Sequence, residues 1–197
     1  MPVLETTRLL IRPFATDDLS DVHRLLDVEL KAEDLETDVY ATIDQRREWL
    51  QWTVLNYRQL ALLRQPPYGD RAIVLKTGGV LIGACGFVPC LAPFGKLPGF
   101  GSSQRPEAPT PYSTEFGLFY AVSPGHQRHG YASEAAGALV EHAFRRLHLR
   151  RVVAMTGHNN PGSIGVMRHL GMRLTRNPEP EPPWLQVVGV LENPNPE

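Results

Sequence analysis

Apolar and polar residues alternate over Arg8–Phe14 (RLLIRPF) until a proline stops the run, which is the period-two pattern of a strand. Thr16-Asp-Asp18 follows as a polar cap. Leu19, Val22, Leu25 and Leu26 then recur at helical spacing and predict a short helix to about Val28. The stretch Val28–Thr42 has no period. Asp44 reads as the cap of a long helix to about Arg64, with Trp49, Trp52, Leu55, Leu60 and Leu63 as its apolar, core-facing side; Gln65-Pro-Pro-Tyr-Gly-Asp70 closes it. Arg71–Lys76 (RAIVLK) and Val80–Val88 (VLIGACGFV) form two strands joined by a hairpin turn at Thr77-Gly-Gly79.

Pro89–Tyr112 is dense in proline, glycine and serine and too long for an ordinary connection. It reads as an ordered flap, a mobile loop or a dimer arm. Ser113–Val122 (STEFGLFYAV) is a strongly apolar central strand. After Ser123-Pro-Gly-His-Gln-Arg-His-Gly130 a helix runs from about Tyr131 to His148. Arg151–Thr156 (RVVAMT) is a buried strand, and Asn160-Pro-Gly-Ser163 opens a helix that stops near Gly171. Met172–Thr175 and Trp184–Leu191 (WLQVVGVL) are the last strands, parted by Pro178-Glu-Pro-Glu-Pro-Pro183. Strands and helices mix along one domain, 1–197, with no internal repeat. The fold class is therefore α/β (α+β), one mixed sheet of about seven strands with helices on both faces.

Composition narrows the function. The chain has 197 residues, 42% apolar and 21% charged, with a net charge of −1. That balance gives no general attraction to nucleic acid or to an anionic membrane. Cys85 and Cys90, the two cysteines, match neither a disulfide framework nor a zinc spacing, so they read as reduced thiols, and no metal is expected. The N-terminal Met1-Pro-Val-Leu-Glu-Thr-Thr-Arg8 is no signal peptide, and no segment approaches the ~20 apolar residues of a membrane span. The expected compartment is the cytoplasm.

The chemistry is carried by the turn Gln127-Arg-His-Gly-Tyr-Ala132 between a strand and a helix. A helix start leaves about four backbone N–H groups unpaired and carries about half a positive charge, so it can cradle a diphosphate. Gly130 lets a phosphate approach the main chain with no Cβ in the way. Ala132 keeps the first turn small.

Gln127-x-x-Gly130-x-Ala132 resembles the Q/R-x-x-G-x-G/A signature of the GNAT superfamily of N-acetyltransferases. Thr114-Glu-Phe-Gly-Leu-Phe-Tyr120 looks like that family's fourth strand, and Asn160-Pro-Gly-Ser163 with Gly171-Met172 looks like its N-x-x-S…G-F segment. The opening Leu4-Glu-Thr-Thr-Arg-Leu-Leu-Ile-Arg-Pro-Phe14 resembles the RimJ/RimL branch, which acetylates ribosomal-protein N-termini. The resemblance covers nearly the whole chain except Pro89–Tyr112. It implies a mostly antiparallel sheet splayed between strands four and five. It implies acetyl-CoA as donor co-substrate, with the diphosphate on Gln127, Arg128, His129, Gly130, Tyr131 and Ala132. The pantetheine arm would lie along Phe119, Tyr120, Ala121 and Val122. Backbone N–H groups would polarise the thioester as an oxyanion hole does, and the amine would attack it directly.

Neutralising an α-amine at pH 7 costs roughly 1.4 kcal/mol, and a lysine amine roughly 4.6 kcal/mol. An α-amine therefore needs only a weak base. Glu115 is the candidate base, its alternative a cross-strand contact only. Many family members place a tyrosine seven residues after the helix-opening asparagine, to protonate the leaving thiolate. Here that position is Met167, which leaves Ser163 as the candidate hydroxyl, with a plain first-turn residue as its alternative. Asn160 either contacts the pantetheine or caps its helix. Glu134 complements the helix dipole. His126 and His129 read as solvated loop residues, and His158 as a candidate lining of the acceptor site.

The resemblance also makes Val28–Thr42 a wall of the acceptor site. It holds Glu29, Glu33, Asp34, Glu36 and Asp38 against Lys31, which either favours a cationic amine or is a solvated loop. The expected partners are acetyl-CoA and an amine, either a protein N-terminus or a small molecule. The proline-rich arm and the strand WLQVVGVL are candidate homodimer contacts. The competing readings are a non-catalytic acyl-CoA sensor of the same fold and an unrelated α/β nucleotide binder.

Overall fold

The computed structural model describes residues 1–33, 40, 42–100 and 112–195. In chain order the strands are β1 (Leu4–Glu5), β2 (Leu9–Pro13), β3 (Gly69–Leu75), β4 (Leu81–Ala92), β5 (Ser113–Val122), β6 (Arg151–Thr156), β7 (Arg173–Arg176) and β8 (Val187–Glu192). The helices are α1 (Leu19–His23), α2 (Ile43–Leu62), α3 (Tyr131–Arg145) and α4 (Pro161–His169). The sheet has eight strands in the order β1-β2-β3-β4-β5-β6-β8-β7. The strand beyond the expected seven is β1, a two-residue pairing of Leu4 and Glu5 with Ile11 and Leu10. Its turn is closed by Thr6, whose hydroxyl oxygen accepts the Leu9 N–H at 2.9 Å.

The chain divides into two compact units, Met1–Phe87 with Tyr120–His142, and Val88–Phe119 with Ala143–Glu197. In the first, β2, β3 and β4 run antiparallel. After α1 the chain widens into a π-turn over Arg24–Glu29 and tightens to a 3-10 turn over Leu30–Glu33. Asp27 thereby faces inward. Its carboxylate accepts two guanidinium N–H groups of buried Arg46 (2.8 and 2.6 Å) and the Tyr40 N–H (2.8 Å).

Helix α2 starts two residues earlier than expected. Thr42, not Asp44, is its cap: Thr42 Oγ1 accepts the Gln45 N–H (3.3 Å) and Gln45 Oε1 accepts the Thr42 N–H (3.2 Å), a reciprocal capping box. The buried stripe is Arg46, Leu50, Thr53 and Leu60. The expected stripe is therefore corrected, since Trp52 is 62% exposed and Leu55 and Leu63 are also exposed. Two polar anchors decide the rotation. Arg46 is drawn to Asp27, and Tyr57 Oη accepts the Phe14 N–H (2.9 Å) while donating to the Asp70 carbonyl (2.5 Å). Trp49 does pack inward, edge-on to Phe14 at 5.8 Å.

One close approach sets the spacing of β4 and β5 in this unit. A Cβ on Gly83 would lie 2.5 Å from the Ala121 carbonyl oxygen. Only glycine leaves room for that backbone.

In the second unit β5 meets β6 in parallel at Gly117↔Val153, and β8 lies antiparallel between β6 and β7. Both edges of β8 are thus paired. The WLQVVGVL segment is an interior strand that starts at Val187 rather than Trp184. The proline-rich stretch is not a flap in its described part. Residues through Ala92 extend β4, and Phe94 and Leu97 are fully buried with Val153, Leu185, Val188 and Val190. The Phe94 and Phe100 rings stack at 5.2 Å. Residues 101–111 of that stretch lie outside the described residues. Cys85 and Cys90 are free thiols.

Candidate active site

In the turn ahead of α3 the carbonyl oxygens of Gln127, His129 and Gly130 are each engaged. Gln127 reaches back with Nε2 to donate to the Val122 carbonyl (3.1 Å). The His129 Nδ1–H donates to the Gln127 carbonyl (2.7 Å), and Arg8 Nη1 donates to the His129 carbonyl (3.0 Å). The Gly130 carbonyl takes the first helical bond, from the Glu134 N–H (3.0 Å). Among the described residues, the backbone N–H groups of Arg128, Gly130, Tyr131 and Ala132 meet no acceptor. Three carbonyl oxygens that would repel an anion are thus occupied, and four donors that would bind one are left open.

Two residues adopt left-handed backbone to make this shape, Arg128 (φ 65°) and Gly130 (φ 80°). At Gly130 a Cβ would occupy the space beside Arg8 Nη2, at 3.5 Å from it. The space beside Gly130 is otherwise open, and with the four open amides these residues fit a diphosphate. His129 stacks on Tyr131 (5.8 Å between centroids), and both it and Arg128 are exposed. His126 is half-buried, and its Nδ1 has no partner among the described residues.

Glu134 does more than face the helix dipole. Its carboxylate accepts the Thr6 hydroxyl (2.5 Å), the Arg8 backbone N–H (2.9 Å) and Arg8 Nε–H (2.7 Å). Burial pushes the Glu134 carboxyl up, but the hydrogen bonds from Thr6 and Arg8 outweigh it and hold it below the usual range. Thr6 and Arg8 are the site residues that sequence reasoning missed. No spacing rule links them to α3, although the Thr-x-Arg pattern stood within the stretch that carried the family resemblance.

On β5, Phe119 and Tyr120 are half-buried, whereas Ala121 and Val122 are buried. Glu115 is also buried, and its carboxylate accepts Nε–H and Nη2–H of Arg151 as a fork, the first at 2.8 Å. Asn160 caps α4: its Oδ1 accepts the Ser163 N–H at 2.9 Å, with Pro161 following at the first helical position. Ser163 is half-buried, and His158 is exposed. Met167 is fully buried, its sulfur 3.1 Å from where a Cβ on Gly189 would stand. Of the acids in Val28–Thr42, Glu29 is paired with Arg24, and Asp34, Glu36 and Asp38 lie outside the described residues. Among the described residues no three His, Cys, Asp or Glu side chains gather as a metal-holding group, and no helix is long and apolar enough to cross a membrane.

A domain model described as acetyltransferase (GNAT) domain matches residues 8–173. The chain belongs to the GNAT acetyltransferase family. Over 54 residues it is 41% identical to the uncharacterized N-acetyltransferase YnaD of Bacillus subtilis, 27% of this chain and 32% of that one. The chain thus matches about a third of that curated relative's length. An acetyltransferase from Agrobacterium tumefaciens shares the fold (TM-score 0.69, 23% identity, 98% of this chain and 95% of that one). So does RimL, a ribosomal L7/L12 alpha-N-protein acetyltransferase solved with coenzyme A (TM-score 0.63, 17% identity, 95% and 94% covered).

Proposed function

We propose that this chain transfers the acetyl group of acetyl-CoA to a primary amine by direct attack in a ternary complex, with an α-amine, as at a protein N-terminus, as the preferred acceptor. The observation that carries the reading is the turn Gln127–Ala132, with the carbonyls of Gln127, His129 and Gly130 engaged and four amide donors open. Acetyl-CoA supplies an activated thioester. The residues Gln127–Ala132 would hold its diphosphate, and the β5 residues Phe119, Tyr120, Ala121 and Val122, with Asn160, its pantetheine arm. A β5 amide then polarises the thioester carbonyl as the amine nitrogen bonds to carbon and the carbon–sulfur bond breaks. Ser163 is the hydroxyl assigned to the departing thiolate.

The α-amine preference rests on Glu115. Both carboxylate oxygens are engaged by Arg151, so an incoming ammonium would compete with the guanidinium for them. An acceptor that is partly neutral at pH 7 suits such a site, and an α-amine is deprotonated roughly 3 kcal/mol more cheaply than lysine. The likeness to RimL's fold is in keeping with this acceptor class.

The test has two arms. Calorimetry with coenzyme A should show micromolar binding, weakened at least tenfold in Gly130→Val, whose side chain both strains the turn and fills the phosphate space. Thiol release from acetyl-CoA should then appear with N-terminal peptides ahead of lysine side chains. Coenzyme A binding with no thiol release for any amine would favour the sensor reading, and no binding at all would end the donor assignment.

A further inference from the structure

We propose that Arg8, held by Glu134, is a positioning residue for the donor's diphosphate: it fixes the direction in which the Gly130 N–H points. The inference rests on the acetyl-CoA reading above. A trans peptide unit is planar, so the carbonyl of one residue and the N–H of the next point opposite ways. Arg8 Nη1 takes the His129 carbonyl at 3.0 Å. The Gly130 N–H is thereby turned to the other side of the turn, where the open amides lie. His129 repeats the device two peptides earlier: its Nδ1–H on the Gln127 carbonyl (2.7 Å) turns the Arg128 N–H in the same manner.

Without these ties both peptides sit beside a residue with positive φ, where a peptide flip costs little and would present a carbonyl oxygen to a phosphate. Arg8 itself is not free to swing. Nε and Nη2 lie 2.7 and 2.6 Å from Glu134 Oε2, and the backbone N–H of Arg8 bonds Oε1 (2.9 Å). Its guanidinium also covers the Tyr131 ring at 4.4 Å. Because the charges of Arg8 and Glu134 offset each other, the pair supplies orientation more than net attraction. Its effect must therefore be confined to ligands that reach the turn.

That confinement is the test. Arg8→Met, Arg8→Lys and Glu134→Gln are compared with the parent chain by calorimetry with coenzyme A, by melting temperature, and by kcat/KM with acetyl-CoA and with S-acetyl-pantetheine, which lacks the diphosphate. Arg8→Met is expected to weaken coenzyme A about tenfold and raise KM for acetyl-CoA in step, with kcat and the S-acetyl-pantetheine value unchanged within twofold. Arg8→Lys, which still donates to the carbonyl, recovers part of the loss. Glu134→Gln, which keeps an acceptor for Arg8, shows a smaller loss with the same selectivity and stands in if Arg8→Met fails to fold. Unchanged coenzyme A affinity, or an equal loss with S-acetyl-pantetheine, overturns the proposal. Failure of the parent chain to bind coenzyme A removes the donor reading itself, and this with it.

Discussion

Arg151 grips Glu115 in a fork, Nε–H to Oε2 at 2.8 Å and Nη2–H to Oε1, while its guanidinium covers the Phe100 ring at 5.0 Å. The hydrogen bond to Glu115 is the largest of the influences that raise the Arg151 pKa, so the guanidinium stays charged. Glu115 is 7% exposed and the Arg151 side chain 31%, so the two partners are not equivalent.

Loss of the arginine strands a buried carboxylate, whereas loss of the glutamate leaves a cation that can reach water. Arg151→Met should cost about 1–3 kcal/mol, and Glu115→Gln less, in urea or thermal unfolding. If Glu115 only positions, Glu115→Gln should lower kcat no more than about threefold and keep the acidic limb of the pH–rate profile. A hundredfold loss, in the range of general bases, would return the proton-accepting role to Glu115.

Met167 occupies the position where many family members carry a tyrosine, but the side chain is fully buried against Gly189, and the Met167 and Met172 sulfurs already fill the space the glycine leaves. Met167→Tyr should therefore not restore an acid. It should overpack this unit and cost about 1–3 kcal/mol of stability, with kcat unimproved. A variant that melts like the parent and turns over faster would show that the helix can rotate to present the hydroxyl.

Asp70 gives the fold a dependence on pH. Burial pushes its carboxyl up from 3.8 to about 6, and the Arg46 charge offsets this only in part. The folded chain then binds more protons than the unfolded one between those values, so stability falls as pH rises from about 4 to 6. Asp70→Asn removes the charge whose burial is costly. The melting temperature should rise by about 3–6 °C at pH 7.5, for a gain of about 1–2 kcal/mol, and be unchanged at pH 4. A pH-independent shift would place the effect outside this carboxyl.

Periodicity and turn residues located every long element, because α3, β5 and β6 bury contiguous runs that no nearby polar group opposes. They failed where a polar partner distant in sequence overrides the local pattern. Helix α2 turns its tryptophan and leucines Trp52, Leu55 and Leu63 outward because Arg46 answers Asp27, and the stretch after α1 widens to the same end. Phe94 and Leu97 were hidden by the prolines around them, which mark a loop but do not say that it returns to a core. At the site, the turn and its glycine were legible because the amides belong to consecutive residues. Arg8 and Thr6 were not, since their bonds to His129 and Glu134 span more than a hundred residues.

At Gly83 the carbonyl of Ala121 stands where any other residue would put its first carbon. The strand that leads into the turn Gln127–Ala132 is thus seated by an omission: β4 acts as a gauge whose setting is zero thickness. Drift elsewhere in β4 changes what the strand touches, but drift at this single position would lift the end of β5 and carry the whole turn with it.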